Sequence, residues 1–421
     1  MPHPHRRLRA ADVHRFVSDR CFAPAQRGLV GIELERLVFA TADPTSQVDH
    51  ATVATAVAAA GPLPGRSAVT FEPGGQLEVS SPPTQGSSAA CAATAGDLAT
   101  LGTGVEEAGL ELVGVGLDPL RRGRRIIDGP RYRAMEAYFD ATGASRSAGR
   151  AMMCNTASVQ VNLDIGDEAT QAQRWRLAHS LGPVLLAAFA NSPFTDGAPN
   201  GLRSARAAAW AAIDPTRTGP AEAGRDWHPA QAWADYALAA RVMLVRVSEA
   251  SFQPLLAPLP FARWMEEGHE LGYPTLDDLE YHLSTLFPPV RPKGWLELRM
   301  IDALPDPWWR AAVAVSAALL DDAEAAESAA TATALTMRLW ADAARHGLGH
   351  PALASAATVC FTAALDALPR LGADPGTVAT TACFFDQFVA RGRCPADDLL
   401  DGWRDDGQLL PPSVPLEPST I

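Results

Sequence analysis

Four short segments of the chain set carboxylates, amides and a guanidinium two residues apart. They are Gly31-Ile32-Glu33-Leu34-Glu35-Arg36-Leu37-Val38-Phe39, Phe71-Glu72-Pro73-Gly74-Gly75-Gln76-Leu77-Glu78-Val79-Ser80, Thr156-Ala157-Ser158-Val159-Gln160-Val161-Asn162-Leu163-Asp164 and Trp295-Leu296-Glu297-Leu298-Arg299-Met300-Ile301-Asp302. In an extended chain alternate residues share a face. Glu33 then stands beside Glu35, Gln76 beside Glu78, Ser158 beside Gln160, Asn162 and Asp164, and Glu297 beside Arg299. Glu72 joins this set if the bulge expected at Pro73-Gly74-Gly75 leaves the register unshifted. Neighbouring carboxylates repel unless water or a cation separates them. One reading is the wet face of an antiparallel sheet. The other is a site for a hard divalent metal, for which Mg²⁺ carrying phosphate oxygens is the usual partner. Spacing alone leaves both open.

Such a face needs strands held by helices, and the chain supplies them. A short amphipathic helix over Ala11–Asp19 precedes the first strand, and an alanine-rich helix ends near Ala60 at Gly61-Pro-Leu-Pro-Gly65. Strand character returns over Val69–Ser80, a helix runs from Ser87 to near Leu110, and Glu111–Gly116 reads as a short strand. Arg121, Arg122, Arg124 and Arg125 read as a solvated loop. Arg131 and Arg133 flank Tyr132 at the entry to a helix, where a side chain can be aimed at a ligand. Met153–Asp164 is expected as strand, and Glu168–Phe189 as a helix kinked at Gly182-Pro183. Helices are expected at 200–212 and over Thr275–Leu286, Ala232–Val247 reads as helix followed by strand, and a last strand is expected over Gly294–Asp302. Beyond Pro307 the chain turns alanine-rich and helical. The domain reading is a catalytic unit over 1–307, a helical C-terminal layer of the same unit over 308–408, and a proline-rich tail over 409–421.

The chain has 421 residues, 47% hydrophobic and 20% charged, enough apolar material for a sizeable core. A formal charge of −13 argues against nucleic acid or an anionic membrane as partner, since both demand basic surface. An anionic substrate then needs metal ions or a local arginine cluster to receive it. Cys21, Cys91, Cys154, Cys360, Cys383 and Cys394 show no C-x-x-C spacing, so neither zinc nor a disulfide framework is expected. No apolar signal core follows the N-terminal arginines, and no run of about 18 uninterrupted apolar residues occurs. A cytoplasmic monomer is expected.

The wording of these segments resembles the plant-type glutamate–cysteine ligases, whose catalytic domain is related to glutamine synthetase. Gly31-Ile-Glu33-Leu-Glu35, Phe71-Glu-Pro-Gly-Gly-Gln-Leu-Glu78 and Val159-Gln-Val-Asn-Leu-Asp164 carry the likeness. So do Phe189-Ala-Asn-Ser-Pro-Phe194, Asp214-Pro-Thr-Arg-Thr-Gly219, Trp233-Ala-Asp-Tyr-Ala-Leu238 and His282-Leu-Ser-Thr-Leu-Phe-Pro288, which leads into Leu296-Glu-Leu-Arg299. Their order matches over about residues 28–320. Composition and compact loops are most similar to the actinobacterial branch, which makes γ-glutamylcysteine for ergothioneine. The chain departs from the plant pattern at Cys154-Asn155, where an arginine usually precedes the threonine, and at Arg203.

The resemblance implies that the γ-carboxylate of L-glutamate attacks the terminal phosphate of ATP, and that the amine of L-cysteine then displaces phosphate. It implies Mg²⁺ held by Glu33, Glu35, Glu78 and Glu297, with Glu72 and Gln160 as further ligands. Arg299 would contact the phosphate in transfer, a task suited to a fixed guanidinium fork, with Asn162 also at the nucleotide. Arg206 would grip a substrate carboxylate, and Arg131, Tyr132 and Thr156 would line the substrate pocket. Cys154 is read as a buried structural thiol. Rival readings are a ligase for a different amine, a Mg²⁺-dependent phosphohydrolase, and a non-catalytic adaptor. The expected fold is α+β: a curved, mainly antiparallel sheet with a polar concave face, helices on its back and a helical C-terminal layer.

Overall fold

A computed structural model describes residues 7–25, 28–142, 146–221 and 228–411. The strands are β1 (Leu29–Ala40), β2 (Ala68–Phe71), β3 (Leu77–Ser80), β4 (Thr84–Gln85), β5 (Leu110–Val113), β6 (Ser158–Asp164), β7 (Phe194–Thr195), β8 (Ala198–Pro199), β9 (Leu244–Ser248), β10 (Ser251–Pro254), β11 (Val290–Pro292) and β12 (Trp295–Asp302). Eight of them form one sheet in the order β11-β12-β6-β1-β3-β2, with β4 and β5 pairing the two ends of β1. Every pairing in it is antiparallel. β1 is therefore the strand on which the others align. Its period-2 pattern decides the faces: Ile32, Leu34, Val159, Val161, Leu296 and Leu298 are fully buried, while Glu33 and Glu35 stay half-buried on the opposite side.

The helices are α1 (Ala10–Cys21), α2 (His50–Ala59), α3 (Ser87–Glu107), α4 (Pro130–Thr142), α5 (Arg146–Asn155), α6 (Gln171–Ala188), α7 (Ala205–Ala211), α8 (Pro215–Thr218), α9 (Pro229–Ala239), α10 (Phe261–Glu267) and α11 (Leu276–Ser284). After residue 307 follow α12 (Trp308–Asp321), α13 (Ala323–Thr333), α14 (Trp340–His346), α15 (Pro351–Arg370), α16 (Pro375–Gln387) and α17 (Pro395–Asp406). α3, α6 and α12 pack on the apolar face of the sheet. One hydrophobic cluster joins that face to α12–α16. α15 is long and apolar enough to span a bilayer by length and composition. Here its Leu353, Ala357, Phe361 and Ala364 are buried in this core, against α12, α13 and α6.

The structure corrects several expectations. Val69–Ser80 is not one bulged strand but a hairpin, β2–β3, closed by a turn in which Gly75 N donates to Glu72 O and Glu72 N to Gln76 O. Met153–Asn155 belong to α5, because Ala148, Met152 and Met153 recur at helical spacing against Met135 and Phe139 of α4. The helix expected at 200–212 starts only at Ala205, capped by Ser204. β9 falls where a strand is expected to close 232–247, while α5, α10, β10 and β11 are additional elements. Arg121 is not solvated: it pairs with Asp118 at 2.7 Å and lies over the Phe39 ring. Arg203, which departs from the plant pattern, pairs with Asp397 of α17 at 2.7 Å. Of the expected tail, residues 412–421 lie outside the described residues.

Candidate active site

Strand register brings the polar side chains together. Glu35 pairs across the ladder with Glu78 of β3, Glu33 with Gln160 of β6, and Asn162 of β6 with Glu297 of β12. Glu72 arrives from the β2–β3 turn rather than from a strand. One carboxylate oxygen each of Glu35, Glu72 and Glu78 lies within 4.8 Å of the other two. Amides and hydroxyls fix the set: Ser158 donates to Glu35 at 2.9 Å, Asn162 to Glu33 at 3.0 Å and Thr70 to Glu78 at 2.9 Å.

The turn carrying Glu72 is placed by close approach. Gly74 packs so tightly on the end of α5 that an added Cβ would sit 2.1 Å from the Cys154 carbonyl oxygen. Gln76 anchors the same turn, donating to the Thr156 carbonyl at 2.9 Å.

The carboxylates divide into two electrostatic kinds. Burial, then repulsion from Glu72 and Glu78, pushes Glu35 up to about 8. Burial and Glu78 push Glu72 up to about 7. Glu33 is also raised, by burial and by its neighbours Glu297 and Glu78. These groups lack a positive charge among themselves, and their donors are all oxygen, which fits a hard divalent cation. Glu297 is the opposite case. Burial opposes its charge, yet Arg291, Arg299 and Lys293 outweigh that and hold it well below the usual carboxylate range. Arg291 grips it with two prongs at 2.6 and 3.1 Å, Lys293 lies 3.3 Å away and Arg299 3.0 Å.

These geometries revise the roles the sequence suggested. Glu297 reaches the site, but with both oxygens engaged by cations rather than free as a ligand. Gln160 is likewise committed: its amide faces Glu35 at 3.4 Å and its oxygen accepts from Arg299. Asn162 accepts from the Trp295 indole at 3.0 Å while donating to Glu33. Arg206 is not on the cleft wall. It is 4% exposed, and its guanidinium donates to the Arg299 carbonyl at 2.8 Å, with Asp302 3.8 Å away. Thr156 lines the cleft, though its hydroxyl donates to the Met152 carbonyl at 2.7 Å. Cys154 is buried, and burial pushes its thiol up to about 12.

The cleft itself has a volume of about 600 Å³. Glu33, Glu35, Glu72 and Glu78 line it together with Arg131, Tyr132 and Arg299. Trp210, Phe287, Arg291 and Lys293 complete its walls and were not singled out in the sequence. Val290–Pro292 is too short to display alternation, so nothing in the pattern marked Arg291 as the partner of Glu297.

The fold places the chain in a known structural class. It matches a bifunctional glutathione synthetase from Pasteurella multocida with a TM-score of 0.52 at 14% identity, covering 91% of this chain and 50% of that one. It also matches a glutamate–cysteine ligase from Francisella tularensis, solved with AMP, at a TM-score of 0.50 and 11% identity, covering 91% and 86%. The chain belongs to glutamate-cysteine ligase family 2 (GCS2), whose profile matches residues 29–411. Among curated relatives, the glutamate–cysteine ligase EgtA of Mycolicibacterium smegmatis is 44% identical over 89% of this chain and 87% of its own length. The EgtA of Mycobacterium tuberculosis is 41% identical over 92% and 88%. The chloroplastic enzyme of Medicago truncatula is 36% identical over 58% and 48%.

Proposed function

We propose that the chain is an ATP-dependent ligase that joins L-glutamate to L-cysteine through a γ-glutamyl phosphate, and that its product feeds ergothioneine synthesis. Membership of the ligase family and similarity to the mycobacterial enzymes support the reaction class. The observation that carries the site is the trio Glu35, Glu72 and Glu78, gathered within 4.8 Å beside Arg299. A solvated sheet face would not gather three mutually repelling, half-buried carboxylates in one cleft.

In this reading Glu35, Glu72 and Glu78 hold Mg²⁺, with Glu33 beside them. The bound ion would neutralise phosphate oxygens so that two anions can approach. Arg299 contacts the phosphoryl group as it passes to the γ-carboxylate of glutamate. Its guanidinium is held in place by Gln160 and Glu297, so the donor is aligned before the charge moves. Glu297 therefore acts through Arg299 and Arg291 as well as by its own charge. Arg131 and Tyr132 form the substrate wall. Asn162 remains the candidate nucleotide contact, with its side chain fixed between Glu33 and Trp295. The six cysteines are all free thiols, which suits a reducing cytoplasm.

The test is dependence on the acceptor. With Mg²⁺-ATP and L-glutamate alone, phosphate should be released slowly, because the acyl phosphate is kept from water. Adding L-cysteine should accelerate ADP formation, and γ-glutamylcysteine should appear in equal amount, whereas L-serine or L-alanine should serve poorly. Glutamate-dependent turnover indifferent to cysteine would overturn the acceptor. Rapid ATP hydrolysis without glutamate would overturn the ligase.

A further inference from the structure

A second cavity, of about 540 Å³, lies behind the catalytic cleft, between α7, α14 and the start of β11. Its walls are mainly apolar, with Leu186, Pro288, Met300 and Trp340 among them. Its charged lining consists of Arg206, Arg299 and Arg345, without a single carboxylate. In a chain of formal charge −13 that is a local reversal of sign. Two buried donors on its wall, Arg206 Nε and Trp210 Nε1, have no protein partner. Buried donors are ordinarily paired, and these two are covered by protein, so an acceptor in the cavity would meet them only after a side-chain shift.

We infer that this cavity binds a small organic anion with an apolar body, such as an aromatic carboxylate or sulfonate, and that its occupancy acts on the ligase through Arg299. Apolar walls exclude a bare inorganic phosphate or a polyphosphate, which would lose hydration without recovering it. A ring fits the apolar part, and the anionic group meets the arginines. Coupling follows from shared parts. Arg206 donates to the Arg299 carbonyl, and Arg299, Trp210 and Phe287 line both cavities. An anion drawn to Arg206 and Arg299 competes with the grip of Gln160 and Glu297 on the same guanidinium, so it inhibits. This last step rests on Arg299 serving phosphoryl transfer; the binding site does not.

The probe is 1-anilinonaphthalene-8-sulfonate, an apolar monoanion that fluoresces when bound. Ala341 and Arg345, one turn apart on α14, are exposed and lie outside the catalytic cleft. Ala341→Trp fills the cavity and Arg345→Glu reverses its rim. Saturable binding by the unaltered protein should weaken at least tenfold in both variants, with their thermal midpoints kept. Saturating probe should lower kcat of the unaltered enzyme and leave Ala341→Trp insensitive. Unchanged binding in both variants would overturn the site. Binding lost in both variants with kcat insensitive to the probe would overturn the coupling alone. Should the ligase assay itself fail, the binding measurement still decides the site.

Discussion

Glu297 shows how a side chain can be legible in the sequence and its role not. The alternation of β12 put it on the polar face beside Arg299, and it is there. Its carboxylate, however, lies under three cations, two of them supplied by a strand edge that the pattern could not reveal. Breaking a buried ion cluster by removing one sign costs about 3 kcal/mol or more, because the remaining charges stay desolvated. Glu297→Gln should therefore lower stability by about that amount as well as abolish turnover, and urea denaturation checks it. An unchanged midpoint would mean the cluster is relaxed by water. Glu35 and Glu72 give a different prediction. With folded values near 8 and 7, both hold protons below neutrality in the metal-free protein. A divalent ion must displace those protons, so its affinity should rise with pH between 6 and 8, by about tenfold per pH unit for each proton released. Calorimetric Mg²⁺ titrations at pH 6, 7 and 8 measure it, and a flat profile would remove these two carboxylates from the ligand set.

At the scale of elements, the hairpin β2–β3 matters most, because its turn delivers Glu72. Its position depends on Gly74 touching the end of α5. Gly74→Ala should push the turn away, costing about 2 kcal/mol of stability and about tenfold in Mg²⁺ affinity. Native stability and affinity in that variant would show that the turn is placed by something other than this contact. The hairpin also marks the limit of reading elements from sequence. Pro73-Gly74-Gly75 signalled an interruption, but a bulge and a tight turn share that composition, and only pairing of Phe71 with Leu77 distinguishes them. Strands β1, β6 and β12 were legible because Ile32, Leu34, Val159, Val161, Leu296 and Leu298 repeat at period 2. The pattern does not reveal α5, and its end reads as strand because Met153-Cys154-Asn155 runs straight into that alternation. Arg206 was legible as a candidate grip for a carboxylate, but only packing shows it turned inward to the Arg299 carbonyl.

At the scale of the molecule, a chain of formal charge −13 sets Arg131, Arg291, Lys293 and Arg299 in the cleft and Arg206, Arg299 and Arg345 around the adjoining cavity, where anions can be received. The sheet presents acids and arginines on one face while α3, α6 and α12 fill the other, so the site rests on the main core rather than on loops. The central claim is that this arrangement passes a phosphoryl group to the γ-carboxylate of glutamate before the amine attacks. Isotope transfer tests it most directly. L-Glutamate carrying ¹⁸O in both γ-carboxylate oxygens is turned over with Mg²⁺-ATP and L-cysteine, and the phosphate and dipeptide are weighed by mass spectrometry. Attack on ATP places one labelled oxygen in the acyl phosphate bridge, and its departure leaves that oxygen in phosphate and the other in the new amide. The account predicts one ¹⁸O per phosphate released and one per γ-glutamylcysteine formed. Unlabelled phosphate would contradict it, since ATP would then have been cleaved without ever bonding to glutamate.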